Sequence, residues 1–270
     1  MKLPPPPWIA AHRGALPLLE NTLPALLRAV EEGADLLEFD VRATADGVLV
    51  LHHDEHLGRL AGRPDLEVES TSLGELQGVA LRHPEHPECP GCPEPAGRIP
   101  TLAELLVALP PEFPVNIELK VRRTAPGRLA ELALAATAGR QNVLFSSFDA
   151  ALLRELRRQS ATARIAPLAR LWTPALERLG EELAAWSLHV AGGVARASAA
   201  SLRARGASAG PPLLVYTVND AARARELLAQ GAAGLFTDRP GPLRAELGQP
   251  GESGVLSLSY RGARSPRSSV

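Results

Sequence analysis

"GADLLEFDVRATADGVLVLHHDEH", residues 33–56, holds two apolar runs joined by a tight turn. Strand side chains alternate faces, so Glu38 and Asp40 share one face while Leu37, Phe39 and Val41 occupy the other. Two carboxylates on one face of a buried strand repel unless positive charge sits between them. Asp46-Gly47 is a favoured two-residue hairpin loop, which pairs Ala45 with Val48 and places Asp40 opposite His53. In that register a histidine arrives beside the acidic pair. Its neighbour His52 turns away, and is read as structural.

The stretch is the second of eight apolar segments. "WIAAHR" (8–13), "LLEFDV" (36–41), "PVNIEL" (114–119), "NVLFSS" (142–147), "ARIAPL" (163–168), "SLHVAG" (187–192), "LLVYTV" (213–218) and "AGLFTD" (233–238) follow one another along the chain. Helices with legible ends lie between several of them. "NTLPALLRAVEEG" opens on Asn21 or Thr22 and stops at Gly33; "TLAELLVALPP" starts with a Thr101–Glu104 capping box; Asp149 starts another helix, and Asn219 or Asp220 a fourth. Such alternation predicts an α/β fold, a (β/α)8 barrel of the TIM type over 8–247. A doubly wound open sheet is the competitor. It is disfavoured because polar residues recur at the C-terminal ends of the strands, where barrels place their sites. The hairpin strand "VLVLHH" and the residues after it break the repeat, so 47–99 reads as a small insertion after the second strand. The Gly-, Ser- and Pro-rich tail, 248–270, is expected to be disordered.

With 270 residues, 45% of them hydrophobic, the chain can bury a sizeable core. A net charge of −1 gives no reason to expect nucleic acid or an anionic membrane as partner. No apolar run is long enough to span a bilayer, and "MKLPPPPWIA" lacks the apolar core of a signal peptide, so a cytoplasmic protein without stable membrane association is expected. Two cysteines argue against a disulfide framework. Lysine occurs only at positions 2 and 120, so Lys120 of "VNIELK" stands out among arginines. A compact ammonium suits that place better than a planar fork, unless chance put it there.

On "VNIELK", Asn116, Glu118 and Lys120 share a face. With Glu38 and Asp40, Glu118 completes three carboxylates from neighbouring strands, more than one lysine neutralises in a water-poor site. Oxygen-only ligands suit a hard divalent cation, Mg²⁺ or Ca²⁺. The alternative is that some of these acids lie solvated at the rim, paired with arginines. "AHRG" adds His12, a candidate acid or base, and Arg13, suited to phosphate. With His53 the set fits phosphoryl chemistry, one histidine taking a proton and the other giving one.

The ordered series "AHRG…ENT…EFD…HHD…IELK", followed by "SSFD", "YTVND" and "GAAGLFTDRP", resembles the glycerophosphodiester phosphodiesterase family over residues 8–242. That resemblance implies a TIM barrel with a small insertion after the histidine of "HHD". It implies metal ligation by Glu38, Asp40 and Glu118 and acid–base catalysis by His12 and His53. Arg13 and Lys120 would hold the phosphate, and Glu20 would line the site. It further implies hydrolysis of a small-molecule glycerophosphodiester to an alcohol and glycerol phosphate, with the substrate's 2-hydroxyl attacking first. The family usually has tryptophan where Tyr216 stands, on a wall facing the glycerol or the head group. Two rivals share these residues: an enzyme acting on lysophospholipids or phosphatidylinositol-like lipids, and a barrel that binds glycerophosphate without turnover.

One segment falls outside the resemblance. "RHPEHPECPGCPEP" spaces His83, His86, Cys89 and Cys92 three apart, a donor set that could make a structural Zn²⁺ site. A reduced, unliganded loop is the competing reading, and a redox role is disfavoured because no strand-to-helix turn holds the thiols. His56 and His189 are read as structural.

Overall fold

The computed structural model describes residues 1–82, 97–192 and 210–248. Its strands are, in chain order, β1 (Trp8–His12), β2 (Leu36–Ala43), β3 (Leu49–Leu51), β4 (His56–Leu57), β5 (Arg63–Glu67), β6 (Val115–Leu119), β7 (Val143–Ser147), β8 (Arg164–Ala169), β9 (Leu188–Ala191), β10 (Leu213–Tyr216) and β11 (Gly234–Thr237). Each of the eight anticipated segments supplies one parallel strand, in the order β1-β2-β6-β7-β8-β9-β10-β11. Because β1 pairs with both β2 and β11, the sheet closes into a TIM-type barrel.

The alternation read from sequence sorts the two faces. Ala11, Leu37, Phe39, Val41, Val115, Ile117 and Leu119 pack outward against helices, while Trp8, Ala10, Leu36, Leu214 and Phe236 fill the lumen. Helix α1 (Leu23–Glu31) is capped by Thr22, whose hydroxyl accepts from the Ala25 N–H. In the segment that follows β3 lie α2 (Gly58–Ala61), a 3-10 turn (Val68–Ser70) and α3 (Leu73–Gln77). This segment builds its own core from Leu57, Leu60, Val68, Leu76, Leu81 and Ile99, seated on Leu19 and Val50. The barrel resumes with α4 (Leu102–Ala108), whose Thr101–Glu104 capping box forms as expected. Helices α5 (Pro126–Ala136), α6 (Ala150–Gln159, capped by Asp149), α7 (Pro174–Glu182), α8 (Ala221–Ala229, capped by Asp220) and α9 (Pro240–Leu247) complete the described ring. The candidate zinc ligands His83, His86, Cys89 and Cys92 lie outside the described residues, as does the chain from 249 onward.

The hairpin register differs from the expectation by one residue. Val41 pairs with Leu51, Arg42 with Val50 and Ala43 with Leu49, so the loop has three residues and Asp40 lies opposite His52. The Gly47 N–H donates to the Thr44 carbonyl, and Gly47 takes φ 80°, the left-handed residue that closes a three-residue loop. Contacts outside the hairpin select this longer loop. Ala45 donates its N–H to the Thr71 carbonyl, and the Asp46 carboxylate accepts from the Thr44 hydroxyl and the Leu73 N–H.

Candidate active site

Four parallel strands and the hairpin bring one group of side chains to the mouth of the lumen. Residues His12, Arg13, Glu38, His53, Asn116, Glu118, Lys120 and Tyr216 line a common pocket of about 200 Å³. The register explains the acids. Asp40 pairs with Glu118 across β2 and β6, and Glu38 lies two residues below Asp40 on the same face. One carboxylate oxygen from each of Glu38, Asp40 and Glu118 falls within 4.8 Å of the others, all three residues being buried. The rim alternative, solvated acids, is thereby removed.

Charge decides how these acids behave. Burial, then the neighbouring carboxylates Asp40 and Glu118, lifts the Glu38 carboxyl well above its ordinary range. Burial and Asp40 raise Glu118 as well. Asp40 goes the other way. Its burial is overcome by Lys120 and Arg13, with help from His53 and the Asn21 amide, so its carboxyl lies well below the usual range. Lys120 Nζ stands 2.9 Å from Asp40 Oδ1 and also contacts Glu118. Arg13 Nε stands 2.9 Å from Asp40 Oδ2. Glu38 Oε1 accepts no hydrogen bond among the described residues, and Asp40 Oδ1 faces the Lys120 ammonium. Three buried carboxylates that share one ammonium and one guanidinium, with a Glu38 oxygen left unpartnered among the described residues, are a donor set that a hard divalent cation fits.

Both histidines are held by the same device. His12 Nδ1 lies 2.7 Å from Asp238 Oδ1, just beyond β11, and His53 Nδ1 lies 2.7 Å from Asp54 Oδ1. A carboxylate on Nδ1 fixes the ring and leaves Nε2 as the nitrogen that could exchange a proton. Asp238 is itself braced by Asn219, whose amide donates at 2.6 Å, and it stays below the ordinary range although burial opposes this. Asp54 is held well below that range by the His53 bond and the Arg59 guanidinium. His52, opposite Asp40 in register, is buried with Nε2 3.3 Å from the His56 carbonyl. Strand β3 ends at Leu51 and its last main-chain bond to β2 is the His52 N–H to the Asp40 carbonyl at 3.1 Å, so His53 reaches the pocket from beyond the strand end.

Two expected residues sit differently from the rest. Glu20 binds Arg13 at 3.1 Å and Arg59 through both oxygens, and it lines an adjoining cavity beside Gly14–Leu19, not the main pocket. Tyr216 lines the main pocket, but its hydroxyl is spent on the Ala169 carbonyl at 2.8 Å, leaving the ring edge-on to Phe148. Asp54, Asp238, Arg59, Asn21 and Asn219 were not singled out from sequence as site residues. The aspartates end "HHD" and "LFTD", each just past a strand end, which was the available signal. Asn219 was read only as a helix-cap candidate, and Asp220 takes that part.

The match to the glycerophosphoryl diester phosphodiesterase family model runs over residues 11–242. The chain belongs to this family. Its members' name describes phosphoric diester hydrolases, and the glycerophosphodiester phosphodiesterase of Caldanaerobacter subterraneus is 30% identical over 188 residues, 67% of this chain and 74% of that protein. The glycerophosphodiester phosphodiesterase GDPD6 of Arabidopsis thaliana is 52% identical over 52 residues, a stretch that spans 19% of this chain and only 14% of that relative. Among solved structures, a phosphodiesterase of Oleispira antarctica in complex with the product sn-glycerol-3-phosphate superimposes with a TM-score of 0.77. That likeness covers 90% of this chain and 98% of the other at 24% identity, and so speaks for the family's barrel alone.

Proposed function

We propose that this protein hydrolyses glycerophosphodiesters to an alcohol and glycerol 3-phosphate by two-histidine acid–base catalysis. One observation carries the reading: two histidines, each with Nδ1 on a carboxylate, face one pocket with three buried acids, Arg13 and Lys120. The substrate's 2-hydroxyl attacks phosphorus while one histidine accepts its proton. The other histidine, protonated, gives a proton to the departing alcohol oxygen as its P–O bond breaks, leaving a cyclic phosphate. Water then opens the ring with the roles reversed, and both histidines return to their starting states. Arg13 and Lys120 supply positive charge for the phosphoryl oxygens. Glu38, Asp40 and Glu118 would hold Mg²⁺ or Ca²⁺, which when bound adds Lewis-acid stabilisation of the same oxygens. The Oleispira neighbour, a barrel of the same fold, holds sn-glycerol-3-phosphate as its product, which suits the reading. The setting we assign is a cytoplasmic one, acting on small molecules.

The test is release of glycerol 3-phosphate from glycerophosphocholine, with and without EDTA. Release that stops on chelation and returns with Mg²⁺ or Ca²⁺ is the expected result. Turnover that survives exhaustive chelation would remove the metal from the reading, and no turnover of any glycerophosphodiester would remove the reading itself. A binder without turnover has no use for two carboxylate-braced imidazoles.

A second reading, action on lysophospholipids, has one observation in its favour. Leu16, Phe148 and Leu171, in the loops after β1, β7 and β8, are 47%, 51% and 59% exposed around the barrel mouth. Apolar groups there would suit an acyl chain. Comparing lysophosphatidylcholine with glycerophosphocholine in the same assay separates the two.

A further inference from the structure

His53 is gripped by its backbone as well as by its ring. Arg42, next in line after Asp40 on the inward face of β2, donates Nε at 3.1 Å and Nη2 at 2.9 Å to the His53 carbonyl. Its remaining nitrogen Nη1 donates at 3.0 Å to Glu69 Oε1 in the 3-10 turn. This ion pair is buried, the side chains being 7% and 1% exposed. Glu69 Oε2 is occupied too. It accepts the Arg123 and Thr124 backbone N–H groups, each at 2.8 Å, three and four residues beyond Lys120. One guanidinium and one carboxylate therefore tie three things together: the strand that carries Asp40, the peptide of His53, and the loop that follows Lys120.

We propose that Arg42 and Glu69 are positioning residues for His53. The inference rests on the acid–base reading of His53 given above. A buried charge pair is a costly way merely to join an insertion to a barrel, since well-packed apolar groups do as much or more for stability. A guanidinium fork, by contrast, fixes an acceptor from two directions at once. The last main-chain bond from this segment to β2 runs from the His52 N–H to the Asp40 carbonyl at 3.1 Å and leaves the His53 carbonyl unheld, so the bidentate grip of Arg42 fixes it. Asp54 orients the ring, and Arg42 sets where that ring starts from. Neither Arg42 nor Glu69 touches the reacting atoms.

The experiment is a double-mutant cycle on the whole protein, assayed with glycerophosphocholine and saturating divalent cation. Arg42→Lys keeps the charge and removes the fork; Glu69→Gln keeps an acceptor and weakens the pair. Each should lower kcat by about 10–100-fold with KM changed little, the scale of a misplaced catalytic group. In a His53→Ala background the same substitutions should change kcat less than about threefold, because a residue acting through His53 is silent once that imidazole is gone. Losses that multiply in the double variants would make Arg42 and Glu69 ordinary structural residues and overturn the proposal. A harmless Arg42→Lys and Glu69→Gln pair would do the same. Should one variant fold poorly in thermal unfolding, the cycle with the other decides. A harmless His53→Ala would instead sink the acid–base reading, and this proposal with it.

Discussion

His189 shows how a buried histidine in the lumen differs from the two at its mouth. It has no carboxylate partner among the described residues: Nε2 faces the Ser187 hydroxyl at 2.9 Å and the ring stands edge-on to Phe236 at 4.9 Å. Burial pushes its pKa down to about 3, against about 6.5 in the unfolded chain. The unfolded state therefore binds a proton that the native state refuses. Stability from this group is intact above about pH 6.5 and is lost as pH falls from there toward 3. Between pH 6.5 and 5 the wild type should lose about 2 kcal/mol that His189→Gln does not, measured by urea unfolding at each pH. Equal acid limbs would show that His189 is not held neutral. His12 and His53 call for a different measurement. His12→Ala and His53→Ala should each lower kcat by ~10²–10⁴-fold. A nitrophenyl leaving group should restore much of the rate to one of them alone, the one that lacks the general acid. His52→Ala should be far milder on kcat, because its ring is spent on the His56 carbonyl. If His52→Ala abolished turnover and His53→Ala did not, the site would have to be redrawn around His52.

At the level of elements, the turn between β1 and α1 is the tightest constraint near the site. Gly14 has φ 111°, and a Cβ there would lie 2.6 Å from Ala25 Cβ on α1. Arg13, with φ 58°, is held just before it by an N–H bond of 2.9 Å to the Glu38 carbonyl. Gly14→Ala should therefore cost about 1–3 kcal/mol in thermal unfolding and lower kcat as well, since α1 and Arg13 cannot both keep their places. A variant with wild-type stability and rate would mean the turn relaxes freely. The same scale shows what sequence reveals and what it does not. Strand parity identified Glu38, Asp40 and Glu118 because alternation is a property of the strand itself. Helix caps such as Thr22, Thr101 and Asp149 were legible for the same local reason. The hairpin register was not, because Thr71 and Leu73, some 25 residues away in sequence, decide the loop length. His53 enters the pocket from outside the ladder, so the residue was named through a register that is off by one. Asp238 as partner of His12 was hidden because 226 residues separate the pair.

For the molecule as a whole, the acid triad is an unbalanced charge at the centre of a closed ring. A cation that binds only the folded ring stabilises it by mass action, about 2.7 kcal/mol at a concentration 100 times its Kd. Chelated protein titrated with Mg²⁺ or Ca²⁺ in scanning calorimetry should show its Tm rise, and Asp40→Asn should abolish the rise. A flat Tm across the titration would mean that the triad takes no cation. Closure has a further consequence. Glu38, Asp40, His53 and Glu118 all lie in the first half of the chain, whereas the brace of His12 arrives with β11, the last strand of the ring. During synthesis, the growing polypeptide thus holds most of its chemistry long before it holds the means to aim it. On the proposed mechanism, a chain that stalls before residue 234 should release no glycerol 3-phosphate.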